Sequence, residues 1–306
     1  MFVQSRRLRA AALPLLALKS RLTHRDHGPR ILVVSMPKSG THLVTGLLHQ
    51  IPGVSLGYSH LTLPQCYASR EGGSGIAPRL DVIARELARL RGGQAASCHF
   101  PYDTELDTWL HENEVRVIFV ARDPREVLIS QVNYVLHLER HPLHEAIRSR
   151  LTTTEERLRF FLHGQDDLEE WRDPGAGPYL QNRMPSLCER AQDYSGWFTA
   201  RSSLSLDFSE LVGAQGGGEQ SQRLAALERI ANFVDKPLSE RALQKVSAEA
   251  ELAFSPTKFR GQTGTWAGSL SPELIREINE ALRPLWADSG WARCVGDRSA
   301  ADRARA

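Results

Sequence analysis

Runs of consecutive aliphatic and β-branched residues alternate along this chain with longer stretches in which apolar positions recur every three or four residues. The two plainest runs, Ile31 to Val34 and Val115 to Ala121, have the composition of strands buried on both faces. Each passes through a short polar turn into helical spacing. After the second run, Pro124 sits where a first helical turn tolerates proline, and Val127, Leu128, Val132 and Val135 continue the helix. A shorter apolar run from Ala95 ends in His99 ahead of Pro101. Helices are also predicted from Leu80 to Arg91, with Val82, Ile83, Leu87 and Leu90 on one face, from the capping box Thr153/Glu156 to Gly164, and from Leu187 to Phe198. Leu224 to Val234 and a segment opened by Ser271 and Pro272 and closed near Leu282 complete the set. Segments 55–78, 172–178 and 213–219 read as polar, glycine-bearing connections, and Leu204 to Gly213 as a strand. Strands separated by helices predict an α/β fold, a P-loop-type parallel sheet flanked by helices in a single domain.

Composition narrows the partners. With 306 residues, 41% of them hydrophobic, the chain can bury one large core, and a net charge of +2 argues against nucleic acid as a partner. Cys66, Cys98, Cys188 and Cys294 lack paired spacing, so neither a zinc site nor a disulfide framework is expected and a reducing cytoplasm fits. Only five of the 38 basic residues are lysine, a bias that fits a GC-rich, bacterial genome and makes Lys38 conspicuous. Residues 1–30 form a basic arm whose apolar stretch, Ala10 to Leu18, is short and broken by Pro14. A loosely ordered arm is the expectation; contact with a membrane surface is the alternative. The main domain is assigned to 31–293 and a disordered tail to 294–306. His137, His141 and His144 share a helical face interrupted by Pro142, and are read as solvated loop residues rather than metal ligands.

The turns after the strands carry the chemistry. Pro37-Lys38-Ser39-Gly40-Thr41-His42 joins a buried strand to a helix N-terminus, where backbone N–H groups and the helix dipole favour an anion and Lys38 adds positive charge. Glycines do not precede the lysine as they do in the G-x-x-x-x-G-K-[ST] loop of ATP- and GTP-binding proteins. The second strand ends in Arg122, with Ser130 two turns into the following helix, so a guanidinium fork and a hydroxyl can meet one phosphate. The bland alternative pairs Arg122 with Asp123 or Glu126 on a solvated helix face.

Taken together, these motifs resemble the sulfotransferases that use 3′-phosphoadenosine 5′-phosphosulfate (PAPS). The Pro-Lys-Ser-Gly-Thr order is similar to that family's 5′-phosphosulfate loop, and Arg122 with Ser130 to its 3′-phosphate site. His99, two residues before Pro101, matches the family's catalytic base. Gly261, Gly264 and Trp266 align with a C-terminal R-K-G-x-x-G-x-W loop, which puts Arg260 at the motif's lysine and Gly261 beside it as nucleotide ligands. The segment around Phe208 resembles one whose aromatic contacts adenine, although Ser209 and Glu210 match the usual acidic pair imperfectly. Leu43 stands where many members carry tryptophan, and His42 where many carry a second threonine. The resemblance implies PAPS as cosubstrate without a metal, His99 as general base, Lys38 stabilising the leaving phosphate, and a hydroxyl or amine acceptor of unspecified class. Substrate loops are expected at 55–78, 137–150 and 172–185. A P-loop kinase or NTPase, and a noncatalytic adenosine-bisphosphate-binding module, remain the alternatives; no motif reports the oligomeric state.

Overall fold

The computed structural model describes residues 28–70, 75–171, 183–252, 263–264, 266–287 and 289–295. In chain order they form β1 (Arg30–Ser35), α1 (Thr41–Gln50), β2 (Ser55–Leu61), α2 (Leu63–Cys66), β3 (Tyr67–Ser69), β4 (Ile76–Pro78), α3 (Leu80–Leu87) and β5 (Gln94–Cys98). Then come α4 (Thr104–Glu112), β6 (Val115–Ala121), α5 (Pro124–His137), α6 (His144–Arg150), α7 (Thr154–His163) and α8 (Leu187–Gln192). The chain continues through β7 (Ser203–Asp207), α9 (Phe208–Val212), α10 (Gln220–Phe233), α11 (Glu240–Leu252), α12 (Pro272–Leu282) and α13 (Ser289–Val295).

Among the described residues one five-stranded sheet runs β2-β5-β1-β6-β7, all neighbours parallel, and β3 and β4 make a separate antiparallel pair. Period-2 alternation divides the strand side chains between two cores. Leu32 and Val34 of β1, with Val117, Phe119 and Ala121 of β6, pack against α4, α5 and α7. Ile31 and Val33, with Ile118 and Val120, face α1, α10 and α11. Both faces are therefore covered, which is why these strands read as continuous apolar runs. From β1 the chain builds outward in both directions, so the carboxyl end of β1, flanked by β5 and β6, is the topological switch point where ligands bind in such sheets.

Capping follows the sequence closely. Thr153 and Glu156 form the predicted capping box of α7, which stops at Gly164, and the Ser271 side chain accepts from the Leu274 N–H at the start of α12. Some boundaries differ. Segment 55–78 is no simple connection: it supplies β2, the edge strand, whose polar Ser-Leu-Gly-Tyr-Ser-His sequence hid the pairing with β5. The strand read from Leu204 to Gly213 ends at Asp207, because Asp207 and Glu210 form a capping box that starts α9 at Phe208. The helix read as Leu187 to Phe198 stops at Gln192, and a 3-10 turn follows at Ser195–Phe198. Likewise α3 ends at Leu87, four residues short of Arg91. His144 is not solvated: it is buried and its Nδ1 donates to the Val135 carbonyl at 2.8 Å. His141 is held edge-on to the Tyr134 ring, 5.7 Å between centroids.

Candidate active site

At the switch point, adjacent strands deliver three groups. β1 opens into the loop carrying Lys38, β5 ends one residue before His99, and β6 one residue before Arg122. Register brings them level, since Val34 pairs with Cys98 and Ser35 with Val120.

The loop is pinned from within. The Ser35 and Thr41 hydroxyls lie 2.5 Å apart, and the Ser39 N–H donates to the Met36 carbonyl at 3.1 Å. Lys38 and Gly40 both adopt positive φ, 74° and 114°. Glycine at position 40 is a packing requirement as well: a Cβ there would sit 2.6 Å from the Phe208 ring. Gly40 caps α1 with no side-chain acceptor, whereas Asp103, Asp123, Thr153, Ser186 and Asp207 cap their own helices. With no side-chain acceptor the N-terminus of α1 is open to an external one, although the Leu43 N–H already donates to the Gly40 carbonyl at 2.9 Å. Ser39 Oγ is fully buried and has no partner among the described residues. A phosphate set on this loop would meet both, so the residues fit an anionic ligand.

Lys38 lies over the Tyr134 ring, its Nζ 4.1 Å from the centroid. Burial, helped by the nearby Arg122 charge, lowers its ammonium to about 8. Arg122 donates from Nε to Glu126 at 3.0 Å and from Nη1 to the Lys38 carbonyl at 3.2 Å, with its guanidinium 4.3 Å above the Phe208 ring. Pairing with Glu126 is thus real, but it is buried rather than on a solvated face: the Arg122 and Glu126 side chains are 12% and 4% exposed. Phe208 is buried beneath both phosphate-directed elements, between Gly40 and Arg122.

Helix α5 aligns the two halves. Glu126, Ser130 and Tyr134 fall at i, i+4 and i+8, one stripe about 12 Å long. Glu126 holds Arg122 at one end, Tyr134 holds Lys38 at the other, and half-buried Ser130 lies between.

His99 Nδ1 lies 2.8 Å from the Ser35 carbonyl. A carbonyl only accepts, so Nδ1 carries the proton and Nε2 keeps the lone pair. Burial, with repulsion from His60, His42 and Lys38 and despite the Ser35 bond, lowers His99 to about 4, leaving a neutral imidazole at pH 7. His60, on β2, lies edge-on to His99 with centroids 5.1 Å apart, and its Nδ1 is 3.0 Å from Ser97 Oγ. It flanks a small cleft opened by the irregular β2–β5 register between Leu56 and His60, lined also by Thr45, Gly57 and Ser97. His42, in the first turn of α1, is likewise shifted down by partial desolvation of its ring and by repulsion from Lys38 and His60. Cys98, adjacent to His99, is fully buried with its thiol raised, which removes it as a thiolate nucleophile.

Of the residues read from sequence, Pro37 to His42, His99, Arg122, Ser130 and Phe208 converge on this one region. Arg260 and Gly261 lie outside the described residues. Farther along the same segment, Trp266 is buried on the Arg125 guanidinium at 4.4 Å, and Thr263 Oγ1 and the Gly264 N–H donate to Glu126. The sequence motifs do not mark His60, Tyr134 or Glu126 as site residues. Tyr134 and Glu126 are legible in the four-residue spacing about Ser130, whereas His60 becomes visible only through the pairing of β2 with β5. Among the described residues no group of three or more His, Cys, Asp or Glu is arranged to hold a metal, and no helix is long and apolar enough to cross a membrane.

Residues 28–174 match the family model described as the sulfotransferase domain. No curated protein matches the chain. Among solved structures, the mouse sulfotransferase SULT7A1 complexed with PAP superposes with a TM-score of 0.55 at 17% identity, covering 90% of this chain and 91% of that one. Retinol dehydratase with androsterone and the inactive cofactor PAP gives 0.52 at 14% identity, with 85% and 81% covered. The same enzyme with retinol and PAP gives 0.53 at 14%, with 87% and 83% covered. This chain therefore has the sulfotransferase α/β fold along most of its length.

Proposed function

We propose that this protein is a PAPS-dependent sulfotransferase acting on a hydroxyl or amine acceptor. The observation that carries the reading is the junction of a glycine-capped loop and a strand-end arginine with a neutral histidine whose tautomer leaves Nε2 unprotonated. The sulfotransferase-domain match and the PAP complexes of the structural neighbours support it. When bound, PAPS supplies the sulfuryl group and leaves as adenosine 3′,5′-bisphosphate. Lys38, Ser39, Thr41 and the N-terminus of α1 hold the 5′ end, and Arg122 with Ser130 the 3′-phosphate. Arg260 and Gly261 belong to the same 3′ half by the motif they match.

His99 takes the acceptor proton at Nε2 as the acceptor attacks. The Ser35 carbonyl keeps Nδ1 protonated throughout, and it stabilises the imidazolium that forms. An anion bound beside the loop raises the basicity of His99 from its low resting value, because it offsets the repulsion from Lys38, His42 and His60. Lys38 neutralises charge developing on the leaving phosphate, and its ring contact with Tyr134 keeps it aimed. Lysine and arginine provide this charge in the scheme, which assigns no role to a metal. β6 runs directly into Arg122 where a Mg²⁺-dependent NTPase would place a carboxylate, which disfavours the kinase alternative. Four unpaired cysteines fit a reducing, cytoplasmic setting.

Incubation with ³⁵S-labelled PAPS and a panel of phenols, sterols, sugars and amines tests the reading. Labelled product that requires both His99 and Lys38 supports it. Binding of adenosine 3′,5′-bisphosphate with no transfer to any acceptor would favour the noncatalytic module.

A further inference from the structure

Two segments far apart in the chain meet on one carboxylate. Glu126 Oε2 accepts from Arg122 Nε at 3.0 Å, while Oε1 accepts from Thr263 Oγ1 at 3.1 Å and from the Gly264 N–H. The Glu126 side chain is 4% exposed. A carboxylate so deeply buried is retained only where its charge is matched, and here three donors and the N-terminal end of α5 match it. The neighbouring Asp123 plays no part in this link, being occupied by Arg125, through Nε and Nη2, and by the cap of α5.

We propose that Glu126 is the positioning residue for the 3′-phosphate half of the site, aiming the Arg122 guanidinium at that phosphate and anchoring the Thr263–Gly264 turn beside it. This rests on the PAPS reading. The guanidinium is gripped by Glu126 at Nε, by the Lys38 carbonyl at Nη1 and by the Phe208 ring on one face, so its orientation is set before ligand arrives. Glu126 also belongs to the same α5 stripe as Ser130, the other group assigned to that phosphate. A glutamine of the same shape would have to turn its amide donor toward either Arg122 or Gly264, losing one link. The C-terminal segment would stay docked, because Arg125 still stacks on Trp266 at 4.4 Å.

The deciding experiment is calorimetric titration of the full chain with adenosine 3′,5′-bisphosphate and with adenosine 5′-monophosphate, for wild type, Glu126→Gln and Glu126→Asp, beside their thermal melts. Glu126→Gln should weaken the bisphosphate about tenfold or more while the monophosphate changes less than about twofold, so the preference between them collapses. Glu126→Asp, which keeps the charge with a shorter reach, should retain more of the preference. In the double variant with Arg122→Ala the Gln change should add little, as coupled residues do. An unchanged preference in Glu126→Gln would overturn the proposal. Tighter bisphosphate binding would overturn it too, making Glu126 a competing anion. If Glu126→Gln fails to fold, a preference in Glu126→Asp equal to wild type, despite its broken reach to the turn, would also overturn it. Failure of the wild type to prefer the bisphosphate would instead sink the PAPS reading on which it rests.

Discussion

Replacing Lys38 with methionine keeps most of the side chain's length and its packing on Tyr134 but deletes the charge. With its ammonium at about 8, Lys38 is roughly nine-tenths protonated at pH 7, so nearly the whole population carries the charge the variant removes. A unit charge about 4 Å from a developing anion, at an effective dielectric constant near 20, is worth about 4 kcal/mol. Deleting one such preorganised donor from an anion-stabilising site costs about 2.7–4 kcal/mol, a factor of about 10² to 10³ in kcat. The two figures agree, and the effect belongs in turnover because charge grows on the leaving phosphate only as the bond breaks. Affinity for adenosine 3′,5′-bisphosphate should fall much less, within about tenfold, since the α1 N-terminus and Arg122 remain. Single-turnover transfer from ³⁵S-labelled PAPS, beside calorimetry with the product nucleotide, separates the two. A variant whose kcat stays within about threefold of wild type would take the lysine out of the mechanism.

Three further outcomes follow from the same geometry. His99 must be neutral and Lys38 charged, so kcat/KM for PAPS should rise with pH through about 4, hold a plateau, and fall above about 8; an acidic limb at 6 to 7 would mean that His99 is not the group titrating. His99→Ala should abolish transfer with bisphosphate affinity within about twofold of wild type, and a lost melt or lost binding would make the histidine structural instead. Gly40→Ala, which forces a Cβ toward the Phe208 ring 2.6 Å away at φ 114°, should cost about 1–3 kcal/mol in urea unfolding and weaken nucleotide binding; wild-type stability would contradict the close packing described.

Much of the fold was legible because strands buried on both faces announce themselves as apolar runs. β1 and β6 are of this kind, and so were the turns that end them. Edge strand β2 escaped because it carries alternating polar residues, and with it went His60, the histidine nearest His99 in ring contact. Helix starts were readable from side-chain caps such as Thr153 and Ser271, whereas α3 and α8 end before their apolar pattern does, the chain continuing in tighter i to i+3 turns that keep a similar spacing. In the proposed site, local order along the chain singled out the loop, His99 and Arg122, which the sheet then sets at adjacent strand ends. Burial of the Arg122–Glu126 pair, and the reach of Glu126 to Thr263 and Gly264, depend on contacts between segments more than a hundred residues apart and leave no local signature.

The central claim is a nucleotide site with separate 5′ and 3′ phosphate halves. Calorimetric titration of the purified protein with adenosine 3′,5′-bisphosphate, against ATP with Mg²⁺, tests it most directly. Tight, metal-independent binding of the bisphosphate with little affinity for Mg·ATP is the predicted result. Preference for Mg·ATP would contradict the account and place the protein among the P-loop kinases.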